Sequence, residues 1–268
     1  SVFIKFFMEN KTIVHPSSDA ESLEKSYRLI DIVKQRERTI SKLNLKPGEN
    51  VLDLGCGVGF LAYKMSEIVG ESGSVICLDQ NKEMIEHTKK RCKNFNQTSF
   101  FVGNAYNLPC EENSLDAVTC TQVLLYVEDI SLAISEIKRI LKKGGRIIIV
   151  ETDWRGVVLS NSNDSMTKKI FAAWDETVPS PNLPVYLNPL LKKNGFSNIK
   201  IEPIPILNTN YNSKNFSYDI IRWITKNALD KQIISNDERR LWLYELEKHE
   251  KKGSYFFCVN RFLFSASL

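Results

Sequence analysis

Gly55, Gly57 and Gly59 stand at alternate positions after the short apolar run Val51-Leu52-Asp53-Leu54 and ahead of a helix-like stretch, residues 61–66. A strand, a tight glycine loop and a helix start is an arrangement that presents main-chain N–H groups to a ligand. Glycine is required where a Cβ would oppose the turn or keep the backbone away from that ligand. The sequence therefore points to ligand binding at this loop.

Spacing narrows the choice. The dinucleotide fingerprint is G-x-G-x-x-G, whereas the third glycine here comes one place early, which weakens an NAD reading. Twenty residues beyond Gly59, Asp79 closes a second apolar strand, residues 74–78. A carboxylate at such a strand end can accept from both hydroxyls of a ribose.

These residues, with Gly103-Asn104-Ala105-Tyr106-Asn107-Leu108-Pro109, the strand 116–121 and Leu141-Lys142-Lys143-Gly144-Gly145-Arg146, occur in the order found in class I S-adenosylmethionine (SAM) dependent methyltransferases. The chain resembles that family over about residues 46–153, on the small-molecule branch near the quinone-biosynthesis (menaquinone/ubiquinone) C-methyltransferases. The resemblance implies SAM as cofactor and S-adenosylhomocysteine as product. It places the cofactor against Asp53, Gly55, Cys56, Gly57 and Gly59 of the loop, Asp79 and Gln80 after the second strand, and Met84 of the next helix. Asn104 and Ala105 would meet the adenine, and Thr121 and Gln122 would border the transferring methyl group. Position 104 is aspartate in most of the family; Asn104 keeps an acceptor but brings no charge. Tyr27 and Arg36 lie on the helix that the family sets over the cofactor, where an arginine can pair with the methionyl carboxylate. A core role for Tyr27 and a solvated one for Arg36 stand equally open.

Around this site the residue pattern predicts an α/β fold: a doubly wound, mostly parallel seven-stranded sheet, Rossmann-like, with a helical segment before it and a helical lid inserted before the last strand. Residues 1–45 form the N-terminal segment over the cofactor, 46–153 the SAM-binding core, and 154–268 the rest of the sheet with a lid at about 208–253. Helices are expected over 20–43 with a break near Asp31, 81–92, 130–141 ended by a glycine cap at 143–145, 185–193, 218–229 and 236–251. Pro203 and Pro205 interrupt the strand 199–207 and demote it to an edge.

Methyl transfer asks chiefly for alignment and exclusion of water, and a base only for some acceptors. Asp153, after the fifth strand, and His249, near the end of the lid, are the candidates for catalytic contact, against turn-capping and surface roles respectively. His15 and His87 suggest no site. Tyr126, Trp154, Tyr186, Tyr211, Trp223 and Arg261 are candidates for the acceptor pocket. Arg261 interrupts an apolar strand, so it needs either an acidic partner or an anionic ligand, with the ion pair favoured.

Composition sets the outer limits. A net charge of +4, with 43% hydrophobic and 25% charged residues, describes a globular chain without a basic tract for nucleic acid. Six cysteines without a C-x-x-C pair argue against a zinc site or disulfide framework, and Cys77 and Cys120 fall on predicted core strands. No run suits a membrane span, and the apolar start at residues 1–8 is too short for a leader, so the expectation is a cytoplasmic enzyme acting on a small-molecule acceptor. The alternatives are a SAM-binding regulator without catalysis, which would need no second pocket, and a methyltransferase acting on a peptide or protein.

Overall fold

The computed structural model describes residues 20–268, so His15, the apolar start and the cap expected at residues 17–19 lie outside the described residues. In chain order the elements are α1 (Ala20–Tyr27), α2 (Ile30–Leu43), β1 (Asn50–Leu54), α3 (Phe60–Val69), β2 (Ser74–Asp79), α4 (Lys82–Arg91), β3 (Thr98–Val102), β4 (Leu115–Thr121), α5 (Ile130–Ile140) and β5 (Leu141–Thr152). There follow β6 (Val158–Leu159), α6 (Asp164–Asp175), α7 (Pro184–Lys193), β7 (Ser197–Asn208), α8 (Phe216–Asp230), α9 (Asn236–Lys251) and β8 (Phe257–Ser267). Helix starts follow local chemistry: the side chains of Asn81, Asp129 and Asn163 accept main-chain N–H groups of α4, α5 and α6, and Ser235 with Glu238 closes a capping box on α9.

The strands form one sheet in the order β3-β2-β1-β4-β5-β8, with β1 to β5 mutually parallel and β8 antiparallel to β5. β7 lies along the other side of β8. The two-residue β6 pairs with Cys258 and Phe257, which also pair with β7, so β6 resumes the line of β5 after the turn at 153–157. The sheet thus has eight strands in seven columns.

Alternation along the strands gives each face its own core. Leu52, Leu54, Val118, Ile147 and Ile149 face one helical layer, while Val51, Val75, Ala117, Ile148 and Val150 face the layer containing α3. Asp53 falls in register with the second set and is buried among it. Parallel strands leave their carboxyl ends on one edge of the sheet, where the loops after β1, β2, β3, β4 and β5 meet.

Three local expectations change. The break between the first two helices falls at Arg28-Leu29, before Asp31. α5 ends at Ile140 without a glycine cap: Leu141 is fully buried, extended and paired with Leu115, so 143–145 lie in β5, where the ladder with β4 shifts register. β7 runs unbroken through Pro203 and Pro205, which pair in register with Phe262 and Asn260. Residues two apart in a strand present their N–H on the same side, so both missing donors can lie on the free edge at no cost to the ladder.

Candidate active site

At the end of β1 the main chain turns through left-handed angles at Gly55, Gly57 and Gly59, with φ of 72°, 54° and 82°. A Cβ on Gly55 would stand 2.2 Å from Val123 Cγ2, so the loop after β4 packs directly on this backbone. Asp79 ties the loop to β2: its Oδ2 accepts the Gly57 N–H at 2.9 Å and its Oδ1 the Asn81 N–H at 2.9 Å. Burial nevertheless raises the Asp79 pKa, because these main-chain donors only partly replace lost water. Thr88 of α4 donates to the Gly57 carbonyl at 2.7 Å and fixes the loop from below. Asp53 lies deeper, with Oδ2 unmatched by any described group, and burial aided by Asp79 pushes its pKa up to about 7.

A cleft opens beside this loop. Its walls are Gly55 and Gly57, Asp79 and Gln80, Met84, Gly103 to Tyr106, and Thr121, Gln122 and Tyr126. Of the residues assigned to a cofactor from sequence, Gly55, Gly57, Asp79, Gln80, Met84, Asn104, Ala105, Thr121 and Gln122 line the cleft together, with Tyr27 closing it from α1. Asn104 turns its Oδ1 to the Tyr106 N–H at 2.9 Å, leaving one lone pair of that oxygen for an incoming amino group. Gly59 does not line the cleft; the space where its Cβ would be is filled by Thr88, so it serves the packing of α3 on α4. A nucleoside with an extended charged tail fits what is present: a strand-end carboxylate with free lone pairs, a glycine loop without side chains, and a buried carboxylate in want of a donor.

The cleft continues past Tyr27, Gly55, Thr121, Gln122 and Tyr126 into a second chamber. Cys56, Arg36 and Asp53 line it, as do Trp154, Trp174, Trp223, Phe216, Ile220 and Arg261. Phe216, Ile220 and Trp223 recur at helical spacing on α8, the first helix of the expected lid. Arg36 donates to the Tyr27 carbonyl at 3.1 Å and lies over Phe60, and burial lowers its pKa. Burial pushes the Tyr27 phenol up to about 12 and raises that of Tyr126 as well.

Gln122 sits at φ 57°, a strained angle for a residue with a side chain, and is held there by its N–H and Nε2–H, both donating to the Val150 carbonyl at 2.8 and 3.1 Å. The neighbouring turn is held by Glu151, whose Oε1 accepts from Val123 N–H at 3.1 Å and Leu124 N–H at 2.8 Å. Glu151 is fully buried, and desolvation pushes its pKa up to about 8. The folded state therefore holds a proton that the unfolded chain, with a carboxyl near 4.3, releases as pH rises. Stability from this group is present below about pH 4.3 and is lost as pH climbs through about 8. Glu151→Gln keeps the acceptor and removes the titration. Denaturant unfolding at pH 5 and pH 8 is expected to show a smaller pH-dependent loss in the variant than in the wild type; equal losses would mean that Glu151 is already charged at pH 5.

Four sequence candidates are not brought to the chamber. Asp153 is turned onto its own turn, accepting the Arg155 N–H at 3.2 Å, and its side chain fills the space beside Gly156. His249 bonds Ser254 Oγ at 2.9 Å and Ser162 Oγ at 3.3 Å on the outside of α9. Tyr186 is 40% exposed and bonds Asn182. Tyr211 packs against Tyr218 and Tyr255 under α8. The ion pair expected for Arg261 is also not found: no carboxylate lies within ion-pair range of it among the described residues. Sequence reasoning missed Trp174, which arrives on α6, a helix not anticipated although Ile170, Ala173 and Trp174 have helical spacing. It also missed Phe60 and Phe216, which from sequence are indistinguishable from core aromatics.

The chain belongs to the methyltransferase domain family, which matches residues 45–181, just over half of its 268 residues. The demethylmenaquinone methyltransferase of Oceanobacillus iheyensis is 40% identical over 119 residues, covering 44% of this chain and 50% of that protein. The match thus spans about half the length of that curated relative. Among solved structures, the YcgJ protein of Bacillus subtilis superposes with a TM-score of 0.62 at 20% identity, covering 88% of this chain and 98% of that one. The Haemonchus contortus phosphoethanolamine N-methyltransferase 2, solved with SAM, gives 0.60 at 19% identity, covering 96% of this chain and 58% of that one. Likeness at that identity establishes the fold.

Proposed function

We propose that this protein transfers a methyl group from SAM to an O, N or C atom of a small-molecule acceptor held under the lid helices. The observation that carries the reading is the junction of two cavities: the cleft beside the glycine loop opens, at Thr121, Gln122 and Tyr126, into an aromatic chamber. A binder without catalysis needs only the first. On this reading the described part of the N-terminal segment, residues 20–45, covers the cofactor, 46–153 hold it, and 154–268 complete the sheet and carry the lid over about 208–253.

When bound, SAM supplies an electrophilic methyl group on a sulfonium whose departure needs no proton. The residues of this chain then have three tasks. Asp79 and the Gly57 N–H it holds would seat the ribose and the loop end of the cofactor. Tyr126, Gln122 and Thr121 would set the approach of the acceptor at the junction, and Gln122 is immobilised for it by the Val150 carbonyl. Trp154, Trp174, Phe216 and Trp223 would exclude water and hold a flat acceptor in line. No histidine lines the chamber among the described residues, and the titratable carboxyl that does line it is Asp53.

Calorimetric titration with SAM, S-adenosylhomocysteine and NADH tests the reading. Saturable one-to-one binding of both sulfur ligands without binding of NADH is expected. Binding of NADH alone, or of none of the three, would overturn it.

A further inference from the structure

The chamber is lined by buried donors. Arg261, on β8 opposite Thr152, is 6% exposed and lines the cavity. Its Nε–H donates to Thr152 Oγ1 at 3.1 Å, and an Nη1–H donates to Gln35 Oε1. The Thr152 hydroxyl donates to Gln122 Oε1 at 2.5 Å, so its oxygen is free to accept from the guanidinium. A guanidinium has five N–H donors, and described residues match only these two. Its positive charge is faced by the ring of Phe216 at 4.9 Å, and Glu151 and Asp31 act on it only from beyond ion-pair range. Independently, the indole N–H groups of Trp154 and Trp174, residues 5% and 1% exposed, are buried without a partner, and the two rings meet edge to face at 5.6 Å. Both residues line the same chamber. Unmatched acceptors also line it, Asp53 Oδ2 and Thr121 Oγ1, but these stand at the glycine-loop end and at the junction.

A buried guanidinium without a counter-ion and two buried indoles without acceptors are costly, and a ligand oxyanion in the chamber they share would offer them acceptors. Arginine also offers a planar fork that matches a carboxylate with two parallel hydrogen bonds. We propose that the acceptor is a small aromatic carboxylate, its ring stacked among Trp223, Phe216 and Tyr126 and its carboxylate seated against Arg261 and the indole N–H groups. This rests on the methyl-transfer reading, and it places the anion beside the junction, since Arg261 reaches Gln122 through Thr152.

The test uses the whole chain saturated with S-adenosylhomocysteine. Benzoate, 3-hydroxybenzoate and 1-naphthoate are titrated against their primary amides and followed by tryptophan fluorescence. At least one carboxylate is expected to bind about tenfold or more tighter than its amide. In Arg261→Gln the preference falls to within about twofold, and Arg261→Lys restores part of it. The affinity for S-adenosylhomocysteine is unchanged in both variants. Trp174→Phe, which keeps an aromatic ring but removes the N–H donor, weakens the carboxylate more than the amide. The wild-type comparison decides the anion preference even if Arg261→Gln does not fold. No preference for any carboxylate, including no binding by the whole series, would overturn the proposal, as would a preference that survives Arg261→Gln. A parallel loss of S-adenosylhomocysteine affinity would instead assign Arg261 to the cofactor's own carboxylate. Failure of S-adenosylhomocysteine to bind the wild type is a separate result and removes the methyl-transfer reading itself.

Discussion

Asp79→Ala is expected to lower the affinity for SAM by at least about 100-fold, because a carboxylate that accepts two ribose hydroxyls contributes about 1.5–3 kcal/mol through each. The carboxylate keeps acceptor capacity after taking main-chain N–H groups of Gly57, Gln80 and Asn81. The substitution acts twice, since it also frees the Gly57 N–H and loosens the loop that would face the methionyl tail. Asp79→Asn separates the two effects: the amide oxygen can keep one main-chain contact, while the charge and half the acceptor capacity go. Calorimetry should therefore rank wild type above Asn and Asn above Ala, with thermal unfolding of the ligand-free proteins differing far less than their affinities. An alanine variant that binds SAM as the wild type does would place the cofactor elsewhere.

Gly59→Ala is expected to have the largest effect on stability, about 2–4 kcal/mol, or a fall in melting temperature of about 5 °C or more. Two costs add. The residue caps α3 at φ 82°, where a side chain is opposed by its own backbone. The new Cβ would also lie 2.8 Å from the Thr88 side chain and 3.0 Å from its Cα, so α4 itself must move. Moving Thr88 takes away its 2.7 Å bond to the Gly57 carbonyl, and the distorted loop should bind SAM more weakly as well. Gly253→Ala provides the control, since that glycine has φ 65° and nothing within 4 Å of the added carbon. It should cost only the backbone strain, about 1 kcal/mol. Equal losses at the two positions, measured by denaturant unfolding, would mean that α4 gives way freely and that the contact is not tight.

Local chemistry was legible in the amino-acid sequence wherever neighbours along the chain decide the outcome. The glycine loop and the strand-end Asp79 occupy one cleft because a strand–loop–helix unit is a local structure whose register is set within about 30 residues. Helices α8 and α9 follow from periodicity within their own stretches. The edge position of β7 follows from Pro203 and Pro205, which lack donors whatever surrounds them.

What the tertiary structure alone decided is which side chains converge. Asp153 and Asp79 both stand at strand ends, yet one is consumed by its own turn and the other ties two loops together, a difference set by where the chain goes next. Trp174, Trp154 and Phe216 are all large apolar residues by type, and only the packing of α6 and α8 over the end of β5 makes them a wall. The alternation of β8 shows that Arg261 is turned inward, but not whether a carboxylate waits there. That depended on residues 109 and 226 positions away, Thr152 and Gln35, which proved to be neutral. Contacts over such separations are paid for by the burial of the whole core, so no local pattern in the sequence records them.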